Sequence, residues 1–306
     1  MSEEKTTNRA GYVAVIGRPN VGKSTLINTF LDQKIAAVSA KPQTTRRRQL
    51  GILTLPGVQV VFVDTPGLHV PQHKLGDFMN QEAVESLKDA DLILWLIDAS
   101  VPITAEDQLI ATRLQSIKKR PPTLIVLSKV DLITEEILFE RKKQSLALFP
   151  AEDMLAISSI HKSGLEDLKK KVLTMLPIGE YFFDEDTVTD YRERDIAAEL
   201  IRESVLTFVR DEVPHCIAVR VDQYEERGEE GAYVEATLFV ERDSQKGIVI
   251  GQRGEMIKKI GTRARQEIET MSGRKVFLDL RAKVNKNWRN SSDALHLLGY
   301  TIGKED

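Results

Sequence analysis

The sequence predicts an α/β domain with a mainly parallel sheet, followed by a smaller α+β domain. The chain has 306 residues, which is too many for one ordinary hydrophobic core. Its N-terminal half carries continuous apolar runs bounded by turn residues, whereas its C-terminal part mixes strand-like and helical stretches. We expect the two domains to span residues 1–178 and 196–306, with a linker at 179–195.

Five apolar runs of the N-terminal domain are predicted to be buried strands, because they are continuous rather than alternating. Such strands are covered on both faces, as in a parallel sheet with helices packed on either side. The stretches between the runs are long enough for helices. The runs are Tyr12–Ile16, Gln59–Val63, Leu92–Ile97, Thr123–Leu127 and Met154–Ile157.

The C-terminal domain is predicted to begin with a helix, because apolar residues between Ile196 and Val209 approximate one helical face. Two strands joined by a polar turn follow, then two helices on either side of a short glycine loop, a closing strand and a last helix. The linker before this domain has an acidic aromatic centre, and we expect it to pack against another element. In order, the predicted elements are His215–Gln223, the turn Glu225–Gly231, Ala232–Val240, Gln245–Ile250, Glu255–Met271, Lys275–Lys283 and Asn287–Leu298.

The charge of the chain is unevenly distributed. The net charge is −3, yet residues 246–290 carry twelve Lys or Arg against four Asp or Glu. This stretch is therefore positive by 8, and the rest of the chain is negative by 11. A segregated basic segment is typical of a nucleic-acid-binding surface.

The single cysteine, Cys216, excludes an intrachain disulfide and indicates a reducing compartment. The N-terminal segment MSEEKTTNRA lacks the apolar core of a signal peptide, and the longest strongly apolar run, Leu92–Ile97, is too short to span a bilayer. We expect a cytoplasmic monomer that makes at most peripheral contact with the inner face of the cell membrane.

A phosphate-binding loop is predicted at 17–24, where GRPNVGKS follows an apolar strand and opens a helix. Glycines let backbone N–H groups converge on phosphate oxygens, and the helix N-terminus adds a favourable dipole field. Lys23 can supply a charge to the β- and γ-phosphates, and Ser24 a hydroxyl to Mg²⁺. The strand-loop-helix context disfavours the alternative, an incidental glycine-rich turn. The candidate phosphate-binding residues are Gly17, Arg18, Pro19, Asn20, Val21, Gly22, Lys23, Ser24 and Thr25.

Two further segments are predicted to complete a magnesium and γ-phosphate site. Asp64 follows the strand Val60–Val63, where its carboxylate can hold the metal shell, and the N–H of Gly67 can meet the γ-phosphate. The segment QTTR at 43–46 can offer a hydroxyl to Mg²⁺ when the triphosphate is bound. Without the phosphate-binding loop, DTPG would be a common turn and QTTR a solvated connection. We expect metal ligands at Ser24, Thr45 and Asp64, catalytic roles for Lys23, Thr45, Asp64 and Gly67, and further nucleotide contacts from Thr65, Pro66 and Leu68.

Guanine is the expected base. The segment SKVD at 128–131 ends an apolar strand, and the carboxylate of Asp131 can accept hydrogen bonds from N1–H and N2–H₂ of guanine, which adenine does not offer. The serines after Met154–Ile157 can cap the base through backbone donors. The candidate base-binding residues are Ser128, Lys129, Val130, Asp131, Ser158 and Ser159.

A second functional loop is predicted at 251–254, where GQRG lies between two helical runs inside the basic stretch. It resembles the GXXG loop of a KH domain, in which glycines bring the backbone close to successive nucleotides. A bare GXXG is typical of an ordinary helix–helix turn, but the basic surroundings and the order of elements favour a type II KH domain. The candidate RNA-binding residues are Gly251, Gln252, Arg253, Gly254, Lys258, Lys259 and Arg263.

These motifs, in this order, resemble those of the Era family of GTPases: GRPNVGKS, QTTR, DTPG, a KxD loop and a serine-rich loop, then TDYRERD, ELIRE, EVPH and the C-terminal domain. The resemblance covers nearly the whole chain. It implies a mainly parallel six-stranded sheet, binding of GTP and GDP with Mg²⁺, and slow hydrolysis. It also implies binding to the 3′ end of 16S ribosomal RNA and a role in maturation of the small (30S) ribosomal subunit.

Three positions bear on how the nucleotide site works. Era-like proteins normally have asparagine where this chain has Ser128, whose side chain is shorter, so we expect guanine selectivity to depend on Asp131 and the phosphate-binding loop to be less firmly braced. Leu68 occupies the position where Ras-like enzymes place the glutamine that orients the attacking water, which predicts slow intrinsic turnover. Asn20 resembles the asparagine that helps hold K⁺ beside the phosphates in related GTPases.

Two other functions are disfavoured by the sequence. An enzyme that uses GTP for covalent chemistry would need a reactive group, but there is no cysteine nucleophile motif, no metal-ligand cluster among the five histidines and no second glycine-rich cofactor loop. An RNA-binding protein with a degenerate nucleotide domain is disfavoured because Lys23, Ser24, Asp64 and Asp131 are all present. The sequence therefore predicts a GTPase switch whose nucleotide state controls RNA binding.

Overall fold

The chain forms two compact units. The computed structural model describes residues 8–39, 41, 44–210, 212–228 and 231–300. The first unit comprises Met1–Gln33, Thr45–Val70 and Met79–Asp190, and the second comprises Lys34–Thr44, Pro71–Phe78 and Tyr191–Asp306. Two short segments of the N-terminal half, 34–44 and 71–78, thus belong to the same unit as the C-terminal domain.

Six strands form the sheet of the first unit: β1 Arg9–Ile16, β2 Gln49–Leu55, β3 Val58–Asp64, β4 Leu92–Asp98, β5 Thr123–Ser128 and β6 Asp153–Ala156. They lie in the order β2-β3-β1-β4-β5-β6, and every neighbouring pair is parallel except β2 and β3. Every residue of β4 is buried, which is why its sequence is a continuous apolar run. The prediction of a mainly parallel six-stranded sheet is confirmed.

Strand β2 was not predicted, because it is not one of the continuous apolar runs. Its sequence, QLGILTL, contains a glycine and two polar residues, and it pairs with β3 through a turn at Gly57. The linker packs along its free edge, as expected, since the Leu50 N–H donates to Asp190 Oδ1 at 2.9 Å and the Ile52 N–H donates to Val188 O at 2.8 Å. Two backbone N–H groups on this edge are thereby satisfied.

The helices of the N-terminal half connect the strands. The start of α3 has a capping box, because the Asp107 N–H donates to Thr104 Oγ1 at 3.3 Å and the Thr104 N–H donates to Asp107 Oδ2 at 2.9 Å. No helix among the described residues is long and apolar enough to cross a bilayer. The helices are α1 Lys23–Leu31, α2 Lys74–Glu85, α3 Ala105–Ser116, α4 Glu135–Leu148 and α5 Leu165–Met175.

The C-terminal domain has the predicted α+β order. Its elements are α6 Glu193–Phe208, α7 Val213–Cys216, β7 Ala218–Glu226, β8 Ala232–Val240, α8 Asp243–Ile250, α9 Glu255–Ser272, β9 Val276–Val284 and α10 Ser292–Leu297. The central strand β8 is antiparallel to β7 and parallel to β9. One face of this sheet packs against α6 and α9, to which α9 contributes Ile260, Ala264 and Ile268, spaced one helical turn apart.

Four predicted boundaries in this domain are wrong. The strand predicted from His215 begins at Ala218, because Pro214 lies in the first turn of the short helix α7. The helix predicted over Asn287–Leu298 is interrupted, since Asn287 has φ 54° and Ser291 caps α10 after a 3₁₀ turn. β7 continues into the predicted turn, of which residues 229 and 230 lie outside the described residues, and α6 begins inside the predicted linker.

Candidate functional site

The predicted phosphate-binding loop connects β1 to α1 in a conformation that requires glycine. Gly17 has φ 151° and Gly22 has φ 102°, both in the range that side-chain-bearing residues avoid. A Cβ atom on Gly17 would also lie 2.5 Å from the backbone oxygen of Leu96. The loop therefore turns tightly between the strand and the N-terminus of α1, the geometry in which backbone N–H groups bind an anion. Arg18 to Val21 lie in this loop and Thr25 lies in α1.

Lys23 is buried at the base of this loop. Its Nζ donates to Gly17 O at 3.2 Å and to Arg18 O at 3.1 Å, so the ammonium group lies inside the loop. Burial lowers the pKa of Lys23 to about 8, although the carboxylate of Asp64 acts in the opposite direction. A phosphate in the loop would favour the charged form in the same way as Asp64 does.

Ser24, Thr45 and Asp64 converge on one point from three different segments. Ser24 Oγ donates to Asp64 Oδ2 at 2.6 Å, Thr45 Oγ1 donates to the same oxygen at 3.2 Å, and the two hydroxyl oxygens are 2.9 Å apart. These are the three metal ligands that the sequence predicts. Their oxygen donors suit Mg²⁺, which commonly binds one or two carboxylates plus substrate phosphates. Among the described residues, no group of three or more His, Cys, Asp or Glu could hold a metal by itself.

The neighbouring threonine is placed differently. Thr44 Oγ1 donates instead to Lys41 O at 2.7 Å. Residue 43 of the predicted QTTR segment lies outside the described residues. The structure therefore brings Thr45, and not Thr44, to the candidate metal site.

Gly67 lies against the phosphate-binding loop. A Cβ atom at this position would lie 2.6 Å from the backbone nitrogen of Pro19, so only glycine is compatible with the contact. Thr65 Oγ1 donates to Val15 O at 2.8 Å and holds the start of the turn against β1. Pro66 lies between these two residues.

Leu68 is buried in the apolar core of the first unit, so its side chain cannot orient a water molecule. The next residue, His69, lies beside the DTPG turn but belongs to none of the predicted motifs. It is also buried, and its Nδ1 lies 2.9 Å from Gly67 O. Because a carbonyl oxygen only accepts, Nδ1 must carry the proton of this hydrogen bond. Asn80 fixes the backbone of His69, since Asn80 Nδ2 donates to His69 O at 2.8 Å.

Ser128 braces the phosphate-binding loop. Its Oγ donates to Val21 O at 2.7 Å and it is buried at the end of β5, so the single hydroxyl contacts the loop that was expected to be less firmly braced without asparagine. Lys129 has φ 58° and turns the chain towards the 3₁₀ turn Val130–Leu132, in which Asp131 is exposed. The hydroxyl is thus engaged with the loop, which leaves Asp131 as the candidate determinant of base selectivity.

The serine-rich loop is closed by its own hydrogen bonds. The Ser158 N–H donates to Ser163 O at 3.0 Å, and Ser158 Oγ accepts from the His161 N–H at 3.1 Å. The Val130 N–H donates to Ile157 O at 3.3 Å, which joins this loop to the turn that carries Asp131. Ser159 follows in the same loop, so the predicted base-binding segments are adjacent.

Asp98, at the end of β4, is a polar centre of this site that sequence reasoning missed. Its Oδ2 lies 3.3 Å from Arg18 Nη2 and 2.7 Å from Lys129 Nζ, so it connects the phosphate-binding loop to the base-binding turn. Burial acts to raise the pKa of Asp98, but hydrogen bonds from Lys129 and Ser100 outweigh it and lower the pKa. Its position after a buried parallel strand, the same as that of Asp64, is the signal that could have identified it.

The GQRG loop also requires its glycines. Gly251 has φ 73°, and a Cβ atom there would lie 2.6 Å from Met256 Cβ, whereas Gly254 has φ 79° and open space around it. Gln252 and Arg253 are exposed at the tip, directly before α9. The loop thus presents two polar side chains and the N-terminus of a long helix to solvent.

A groove of about 490 Å³ lies between α9 and β9. Its apolar floor, Leu278 and Leu280, was not predicted as part of the site, and neither was Arg265 at its rim. Of the predicted basic residues, only Lys258 lines this groove. Lys259 and Arg263 lie instead in a second cavity, beside Phe208 on another side of α9. The groove is lined by Ile257, Lys258, Gly261, Thr262, Arg265, Leu278 and Leu280.

Comparisons with known proteins match both domains of the chain. Residues 12–129 match the family model described as a 50S ribosome-binding GTPase, and residues 212–289 match the KH domain model. The GTPase Era of Ruminiclostridium cellulolyticum is 44% identical over 296 residues, which is 97% of this chain and 99% of the relative. The GTPase Era of Heliobacterium modesticaldum is 41% identical over 95% of this chain and 97% of its own length.

Two solved structures are similar over nearly the whole chain. One is Era in complex with MgGDPNP and nucleotides 1506–1542 of 16S ribosomal RNA, at a TM-score of 0.91 and 36% identity, covering 96% of this chain and 100% of that one. The other is a variant of Aquifex aeolicus Era bound to GDP·AlF₄⁻, with the same TM-score, identity and coverage. The likeness therefore includes both domains.

Proposed function

This chain belongs to the Era family of GTPases, and on that premise we propose that it is a GTP-dependent switch that binds 16S ribosomal RNA near its 3′ end during assembly of the small ribosomal subunit. The observation that carries the proposal is the presence in one chain of the Ser24–Thr45–Asp64 cluster and of the GQRG loop with its groove. A solved relative with the same two domains holds MgGDPNP and nucleotides 1506–1542 of 16S ribosomal RNA.

The nucleotide would bind with its phosphates in the loop at 17–24 and its base between Asp131 and the serine-rich loop. Lys23 places a positive charge at the β- and γ-phosphates. Ser24, Thr45 and Asp64 would hold Mg²⁺, which neutralises charge that develops on the phosphates. Gly67 brings its N–H close to the loop for the γ-phosphate. With Leu68 buried, no glutamine orients the attacking water, so hydrolysis is slow.

Hydrolysis measured with and without RNA tests this function. We expect slow multiple-turnover release of phosphate from GTP that changes when a 16S 3′-end fragment is added. Covalent chemistry on RNA would instead yield a modified RNA product, and a degenerate nucleotide domain would show no hydrolysis at all. Either result would contradict the proposal.

Glu203 supports a coupling between the two sites. It is 3% exposed on α6, and it accepts hydrogen bonds from Lys34 Nζ at 2.8 Å and from the Val38 N–H at 3.0 Å. Arg263 of α9 approaches the same carboxylate at 3.5 Å. A buried carboxylate of this kind depends on its cationic partners. It therefore ties the segment that leads into Thr45 to the helix that follows the GQRG loop.

Replacing Glu203 with glutamine should uncouple RNA binding from nucleotide state. The neutral amide keeps the size of the side chain but loses the charge that holds Lys34 and Arg263. We expect the ratio of RNA affinities with a GTP analogue and with GDP to fall towards 1, whereas couplings of this type are typically about 5- to 150-fold. Fluorescence anisotropy with a labelled 16S 3′-end fragment measures both affinities.

Glu267 provides a matched control for this experiment. It also pairs with Lys34, at 2.9 Å, but its side chain is 27% exposed, so Glu267→Gln should change the ratio less. An unchanged ratio in Glu203→Gln, with a normal thermal unfolding midpoint, would contradict the coupling role.

Potassium is the second ion that we propose, at Asn20 in the phosphate-binding loop. Asn20 has φ 65°, a conformation that asparagine tolerates better than most residues. We expect GTP hydrolysis to be faster in K⁺ than in Na⁺ buffer at equal ionic strength, and Asn20→Ala to remove the difference. Equal rates for the unmodified protein in the two buffers would count against a potassium site.

Several finer properties belong to the same proposal. We propose functional domains at 1–178 and 193–306, with the linker ending at residue 192 because α6 begins at Glu193, together with a monomeric state and a cytoplasmic location. Peripheral contact with the inner face of the cell membrane stays a prediction, tested by co-sedimentation with anionic lipid vesicles.

A further inference from the structure

An aromatic pair lies on the face of the β7–β8–β9 sheet that the helices do not cover. Alternate residues of a strand point to opposite faces. Val234 and Leu278 pack with α6 and α9, so their neighbours Tyr233 and Phe277 lie on the other face. The side chain of Phe277 is 66% exposed. Core packing therefore does not explain an aromatic residue at this position.

The pair is part of a stack of three side chains. Tyr233 and Phe277 are opposite each other in the β8–β9 register, with ring centroids 5.7 Å apart and an angle of 13° between the ring planes. The guanidinium carbon of Arg227 lies 5.0 Å from the centroid of the Tyr233 ring. One face of the Phe277 ring stacks on Tyr233, and this contact fixes the orientation of the Phe277 ring. The exposed side can accept a nucleobase, since every base has a π-face.

The charges around this stack are compatible with a nucleic-acid strand. Lys275 is exposed two residues before Phe277, and Arg281 is 53% exposed further along β9. Two carboxylates on this face, Glu235 and Asp279, are paired with Arg281 at 2.8 and 3.1 Å. A third, Glu225, is opposite Tyr233 in the β7–β8 register and lies 3.6 Å from Arg227. Their repulsion of a phosphate is thereby reduced.

Phe277 follows the groove between α9 and β9 at one of its ends. Gly261 of α9 lies beside Leu280 of β9, since a Cβ atom on Gly261 would be 3.4 Å from Leu280 Cδ1. Farther along α9, Glu269 Oε1 accepts from the Val276 N–H at 3.0 Å, so α9 and β9 run in opposite directions. Leu278 and Arg265 consequently form the end of the groove that is farther from GQRG. Phe277 is the next residue of β9, which is an edge strand of the sheet in the described part of the chain.

We infer that Phe277 binds an RNA base outside the groove. A KH groove holds about four unpaired nucleotides, and the strand that leaves it past Leu278 crosses the edge of β9 and stacks its next base on Phe277. This inference rests on the proposed RNA-binding function and extends it to a longer single-stranded target.

Two RNA lengths test the inference: unpaired fragments of four and of eight nucleotides from within nucleotides 1506–1542 of 16S ribosomal RNA, the segment bound in the solved relative. We expect Phe277→Ala to weaken binding of the longer fragment on the order of tenfold and to leave the shorter one unchanged. Phe277→Trp should restore affinity. Phe139→Ala is the matched control, because Phe139 is 68% exposed on α4, far along the chain from the GQRG loop.

The other outcomes overturn the inference in distinguishable ways. An equal loss for both fragments would place Phe277 in the groove site, and no loss for either would remove it from RNA binding. Failure of the unmodified protein to bind either fragment would contradict the proposed function as well. A photoreactive p-benzoylphenylalanine at position 277 should crosslink to RNA in purified small ribosomal subunits, and a crosslink to a ribosomal protein alone would assign this surface to a protein partner.

Discussion

Asparagine in place of Asp131 is expected to change the nucleotide preference from GTP to xanthosine triphosphate. The carboxylate accepts two hydrogen bonds from guanine, at N1–H and N2–H₂, whereas an amide places a donor opposite one of them. Xanthine carries a carbonyl at C2, which the same amide can pair with. A site built for specific hydrogen bonds loses affinity steeply when one is mismatched, and we expect a loss on the order of 10³-fold for GTP.

Competition between labelled and unlabelled nucleotides measures this change. Asp167→Asn makes the same chemical replacement at an exposed position of α5, and it should leave GTP affinity unaltered. If Asp131→Asn still bound GTP within tenfold of the unmodified protein, the base-binding assignment would fail. Binding of ATP by the unmodified protein would contradict guanine selectivity, which in this chain has no asparagine at position 128 to support it.

The nucleotide site could be predicted in most of its parts because its residues follow buried strands. A carboxylate directly after a continuous apolar run lies at the carboxyl edge of a parallel sheet, and this rule identifies Asp64. The same rule applies to Asp98, which was missed because it belongs to no named motif. Thr45 was predicted as the third ligand, and the structure brings its hydroxyl, and not that of Thr44, to Asp64.

Strands that are buried on both faces could be predicted, because such burial requires a continuous apolar run in the sequence. β4 is buried throughout and is an unbroken apolar run, whereas β2 pairs at an edge, with the linker alongside, and has no such pattern. The break before α10 follows from the φ of 54° at Asn287, a conformation that helical periodicity does not report. Local sequence patterns thus do not predict which distant strands pair or which single residue adopts an unusual backbone angle.

The RNA site shows a further limit of sequence reasoning. Helical periodicity places Ile260, Ala264 and Ile268 on the buried face of α9, with basic residues on both flanks of that face. Helical periodicity does not predict which flank of α9 lies beside β9, because that depends on how the helix packs on the sheet. The structure puts Lys258 and Arg265 in the groove and Lys259 and Arg263 outside it. Lys258→Ala should therefore weaken RNA binding more than Lys259→Ala.

Replacing both Gln252 and Arg253 with aspartate is expected to abolish RNA binding and to leave GTP binding intact. Both side chains are exposed at the tip of the GQRG loop, where two carboxylates would repel the phosphates and one cation would be lost. Aspartate tolerates the φ of 51° that Arg253 adopts, so the loop should keep its shape. We expect a loss of at least about 100-fold in RNA affinity at physiological salt.

A matched charge change elsewhere separates a loop effect from a general electrostatic one. Gln115→Asp with Lys118→Asp alters the net charge by the same amount at exposed positions at the end of α3 and beyond it. That variant should bind RNA within about twofold of the unmodified protein, because both positions belong to the first unit, which does not carry the GQRG loop. Equal losses in the two variants would mean that net charge, and not the GQRG loop, controls binding. RNA affinity unchanged by the loop substitutions would remove GQRG from the RNA site altogether.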